Sequence, residues 1–81
     1  MMMPKRGRVL VADDEPMMRD LFQETLGAEW DVRLAEDGSR AKAMLDHESF
    51  DVVFLDVRMP GRDGGELLRW LRSRGNRPRT V

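Results

Sequence analysis

The chain has 81 residues, enough for one small domain with a thin core, since roughly 60% of the unfolded surface is buried at this size. Fourteen basic and 15 acidic residues leave a net charge of −1, so no overall field points to nucleic acid. There is no cysteine and a single histidine, His47, which excludes a disulfide framework, a thiolate metal site and the usual zinc sites.

No apolar run approaches the roughly 20 residues that span a bilayer. Met1–Arg6 leads into too short an apolar stretch for a secretory signal. The expectation is a cytoplasmic chain that binds neither membrane nor nucleic acid. Residues 1–7 read as a flexible start.

Val9-Leu10-Val11-Ala12 is a continuous apolar run bounded by charge, the pattern of a strand buried on both faces. Asp13, Asp14 and Glu15 follow it, and Pro16 suits the first turn of a helix. An acid before Pro16 is expected to cap that helix. Met18, Leu21, Phe22, Thr25 and Leu26 fall on one helical stripe, and Gly27 fits its end. At least one of Met17 and Met18 is expected in the core. Asp31–Ala35 alternates like a shorter strand, and Asp37-Gly38 marks a turn. Ser39 is read as the N-cap of a short helix over Ala41–Leu45.

Val52-Val53-Phe54-Leu55 is the strongest apolar strand and ends in Asp56. A loop follows over Met59-Pro60-Gly61 and Asp63-Gly64-Gly65. Leu67, Leu68 and Leu71 form another helical stripe, closed by Arg74-Gly75-Asn76. Trp70 lies off that stripe and is expected to be a packing or partly exposed residue that could mark a partner surface, whereas His47 sits in a polar stretch and is expected at the surface. The five arginines between Arg69 and Val81 read as a solvated face. Residues 76–81 look like the approach to a fourth strand.

Alternating strands and helices imply an α/β fold with a parallel sheet. The expected architecture is a partial doubly wound, flavodoxin-like sheet of order 2-1-3 with three helices. Its switch point lies between the first and third strands, where open α/β sheets bind ligands beyond the carboxyl ends of the strands. Asp13, Asp14 and Asp56 fall at that place. Crowded carboxylates repel, and a hard divalent cation relieves the repulsion. Magnesium suits an all-oxygen site. A carboxylate beside such a metal can also act as a nucleophile and carry a phosphoryl group. Asp56, at the end of the most buried strand, is the better nucleophile; Asp13 and Asp14 read as metal ligands.

Ala12-Asp13-Asp14-Glu15-Pro16 after a buried strand resembles the acidic start of a CheY-like response-regulator receiver domain. Val53–Gly61 with Asp63-Gly64 resembles the phosphoacceptor segment of the same family, and Ala35-Glu36-Asp37-Gly38 fits it too. The resemblance covers nearly the whole chain and implies roles residue by residue. Asp56 would accept a phosphoryl group from a histidine kinase or a phosphotransfer protein. Asp14 would bind Mg2+ directly, supported by Asp13, with the backbone carbonyl of Arg58 as a further ligand. Met59 would lie beside the site, Pro60 and Gly61 would shape the turn, and Gly64 would lead into the next helix.

Measured against that family, residues 1–81 read as a single, incomplete receiver domain, shortened before the end of the fourth strand. Thr80 falls inside that strand, too early to be the family's switch hydroxyl. The family's conserved lysine and last two helices have no counterpart here. The third strand would then expose an apolar edge, which predicts self-association along it. Two rival readings remain at this level: a receiver-derived fragment that folds or oligomerises without signalling, and a small Mg-dependent phosphohydrolase. The second lacks a clear general base.

Overall fold

A computed structural model of the chain describes residues 5–56, 64–73 and 79–80. In chain order the elements are β1 (Arg8–Ala12), α1 (Pro16–Leu26), β2 (Asp31–Ala35), α2 (Gly38–His47), β3 (Val52–Leu55), α3 (Gly64–Ser73) and β4 (Arg79–Thr80). The strands form one parallel sheet in the order β2-β1-β3-β4. The expected order 2-1-3 is present, with β4 added outside β3.

That addition corrects one expectation. Val52 and Val53 pair with Arg79 and Thr80, so the β3 edge is covered over its first half. Within β3, Phe54 and Leu55 have β1 as their single strand partner among the described residues. The edge that motivated self-association is therefore closed at Val52 and Val53 and open at Phe54 and Leu55 among the described residues.

Topology decides which face each helix covers. The step from β1 to β2 runs one way across the sheet; the steps to β3 and β4 run the other way. Right-handed crossovers then place α1 on one face and α2 with α3 on the opposite face. Central β1 is buried on both sides, with Val9, Leu10, Val11 and Ala12 all at most 1% exposed. Leu10, Ala12, Ala35 and Val53 point to the α2/α3 face and pack with Ala41, Leu45, Phe50 and Leu71. Small Ala12, Ala35 and Ala41 let α2 lie close to the sheet. Val9 and Val11 point to the α1 face, where the rings of Phe22 and Phe54 meet at 5.0 Å.

Helix α1 has no buried residue. Phe22 and Leu26 are half-buried, but Met18 and Leu21 are 36% and 53% exposed, and Met17 is 81% exposed. Neither methionine enters the core, contrary to expectation. Among the described helices α1 is alone on its face, so its outer flank has nothing to pack against.

The caps also differ from the sequence reading. Glu15 occupies the N-cap of α1 but its side chain makes no capping bond. The N-cap of α2 is Asp37, not Ser39: its Oδ1 accepts from the Arg40 amide at 2.7 Å, and the helix begins at Gly38. Trp70 packs against the core cluster and takes Lys42 Nζ 5.2 Å from its ring centroid. It packs between α2 and α3, as the packing expectation has it, and stays partly exposed. His47 ends α2 and is exposed, as expected.

The amino end of the sheet is tied by a residue that the sequence did not single out. Arg8 Nε lies 3.3 Å from Asp31, its Nη1 donates to Ser49 O at 3.1 Å, and its Nη2 pairs with Glu48. The guanidinium stacks 4.9 Å from the Phe50 ring centroid. The hydrogen bond to Glu48 is the main cause that raises the Arg8 pKa above its ordinary value. One side chain of β1 thus links β2 to the turn before β3.

Candidate metal centre

The site lies at the opposite, carboxyl end of the sheet. Asp13 directly follows β1 and Asp56 directly follows β3. The strand ladder runs one residue further at both places. The Asp13 amide donates to Ala35 O at 3.0 Å, and the Asp56 amide donates to Ala12 O at 3.0 Å. Because β1 lies between β2 and β3, these two bonds hold both acids at one level of the sheet. Asp14 follows in the loop that leads to α1.

Asp13, Asp14 and Asp56 each present a carboxylate oxygen, and the three oxygens lie within 4.8 Å of one another. Asp14 is exposed; Asp13 and Asp56 are partly buried. Asp13 Oδ1 accepts from the Glu15 amide at 2.9 Å, which tightens the turn into α1. Beside the carboxylates lies a pocket of about 180 Å³, lined on its apolar side by Met18, Phe22 and Phe54. Three converging carboxylates with no sulfur or imidazole suit a hard cation, and magnesium usually takes one or two protein carboxylates with waters and phosphate oxygens. The donor set fits Mg2+.

The structure thus brings together the three predicted acids. Arg58, Met59, Pro60 and Gly61 lie outside the described residues. Gly64 is the first residue of α3. One contact near the acids was missed at the sequence level: Arg19 Nη1 donates to the Asp13 main-chain oxygen at 2.8 Å. Nothing in the pattern of α1 distinguishes Arg19 from an ordinary solvated arginine.

Comparison with known proteins settles the family. Residues 9–81 match the family described as the response regulator receiver domain. The chain belongs to that family. Receiver domains of this kind are parts of two-component signal-transduction systems, and they are regulatory. The transcriptional regulatory protein TrcR of Mycobacterium tuberculosis is 46% identical over 67 residues, a match covering 82% of this chain and 26% of TrcR. The response regulator TrrA of Thermotoga maritima, solved in complex with Mg2+-BeF, superposes with a TM-score of 0.76 at 39% identity. That match covers 80% of this chain and 57% of the TrrA chain. A chain in the complex of histidine kinase ThkA with TrrA gives a TM-score of 0.81 at 35% identity, over 90% of this chain and 64% of that one. The chain therefore spans only part of the length of these relatives. Among the described residues no helix is long and apolar enough to cross a membrane.

Proposed function

We propose that this receiver module accepts a phosphoryl group on Asp56, with Mg2+ held by Asp13, Asp14 and Asp56 and by the Arg58 backbone carbonyl. The observation that carries the reading is the convergence of three carboxylate oxygens within 4.8 Å at the ends of β1 and β3. The Mg2+-BeF complex of TrrA supports the metal, and the ThkA–TrrA complex supports a histidine kinase as donor. A phosphotransfer protein would serve equally, since the donor chemistry is the same. The module works in the cytoplasm, with its chemistry limited to its own modification.

Asp56 does the covalent step. A carboxylate oxygen of Asp56 forms a bond to phosphorus as the donor's nitrogen–phosphorus bond breaks, and the electron pair leaves with the donor imidazole. Bound Mg2+ would supply charge neutralisation for the phosphoryl oxygens. Asp56 is rigidly aimed because its amide is locked to Ala12 O. Asp13 and Asp14 would hold the metal beside Asp56, and by the family resemblance Met59, Pro60, Gly61 and Gly64 would shape the loop that follows.

The test is intact-mass analysis of the chain after incubation with Mg2+ and a small phosphodonor. A single phosphoryl adduct is expected on the wild type and none on Asp56→Asn. An adduct of equal yield on the Asn variant would remove Asp56 from its role.

A further inference from the structure

We infer that Arg19 is a positioning residue for the metal centre: it holds the peptide that carries Asp14, and so sets where that carboxylate points. This deepens the proposed function and rests on its metal reading.

Asp13 is fastened at three atoms. Its amide donates to Ala35 O at 3.0 Å, its Oδ1 accepts from the Glu15 amide at 2.9 Å, and its carbonyl oxygen accepts from Arg19 Nη1 at 2.8 Å. The first two bonds belong to the strand ladder and to the local turn. The third comes from a side chain one turn into α1. Arg19 is itself well anchored, because its amide closes onto Glu15 O at 3.1 Å and its side chain is half-buried.

The Asp13 carbonyl and the Asp14 amide belong to one planar peptide unit. Fixing the carbonyl direction therefore fixes the plane from which Asp14 departs. Asp14 is the exposed member of the three acids, with the least packing to hold it. The arginine bonds the main-chain oxygen of Asp13 and not its carboxylate, so it orders the loop without occupying that ligand. A partner that orients a metal ligand in this way typically changes affinity by roughly 10- to 100-fold.

Charge and positioning predict opposite signs, which makes the inference testable. Removing a cation near three carboxylates should by electrostatics alone strengthen Mg2+ binding. Loss of positioning should weaken it. Mg2+ affinity of the full chain is measured by titration calorimetry for the wild type, Arg19→Met, Arg19→Lys and Asp14→Asn. Arg19→Met keeps the apolar stem and is expected to weaken binding roughly tenfold, with an unchanged melting temperature in the absence of metal. Arg19→Lys, which keeps a charged donor, is expected to recover most of the loss. Arg19→Leu, which also lacks a donor, provides the same comparison if the Met variant does not fold. Affinity equal to or tighter than wild type in the donor-deleted variant overturns the role of Arg19. If Asp14→Asn loses Mg2+ while Arg19→Met does not, only the Arg19 inference falls. If the wild type and Asp14→Asn bind alike, the metal reading falls and the inference with it.

Discussion

The two faces of the sheet are built from similar residues and reach different ends. On the α2/α3 face, Leu10, Val53, Leu45 and Leu71 close into a cluster in which each is at most 3% exposed. On the α1 face, Val9 and Val11 are equally buried, yet the helix above them buries no residue completely. The difference is one of neighbours. Helices α2 and α3 touch each other and share Trp70, so each covers the flank of the other. Helix α1 packs on β1 and β2, and Met18 and Leu21 stay at the surface. An apolar stripe thus becomes core only where a second element covers its outer side.

Substitutions can break or sharpen that contrast. Leu71→Ala is expected to have the largest effect, destabilising the chain by about 3 kcal/mol, because it opens a cavity where nothing can collapse inward. For so small a domain that is a large part of the total stability. A urea unfolding midpoint barely moved from wild type would show that this face is looser than its burial implies. Phe22→Ala should be intermediate, at about 2 kcal/mol, since it removes one ring of the 5.0 Å pair with Phe54 from a half-open site. A loss as large as that of Leu71→Ala would mean that α1 is as tightly packed as α3. Leu21→Lys should be smallest, within about 0.5 kcal/mol, because the side chain is already half in water. A cooperative loss of several degrees in melting temperature for this variant would show that something covers the α1 face in solution.

Much of the fold and part of the site could be read from the chain. Val9–Ala12 and Val52–Leu55 are apolar runs bounded by charge, and both are strands at the predicted places. Pro16 starts a helix because its missing donor is harmless there, and Asp31–Ala35 is a strand as its alternation suggested. Asp13, Asp14 and Asp56 are legible because they lie just past two apolar strands at a switch point. Other features were not legible. Ser39 and Asp37 are both good caps, and only the backbone path shows that the Asp37 oxygen reaches the Arg40 amide. The Arg8 clamp joins residues 23 and 40 positions apart, so it depends on strand register. That Trp70 packs beside Lys42 is not legible either, because a helical wheel does not show that α2 lies alongside α3.

The sequence by itself determined the element types, their order, and which residues share a face, since these follow from short-range periodicity and local backbone chemistry. Tertiary structure alone decided which shared faces are covered, how Arg8 ties the sheet, and that three acids from two distant segments converge to within 4.8 Å. Those outcomes depend on the parallel register of β1 and β3 and on the handedness of the crossovers, which only the packed chain expresses.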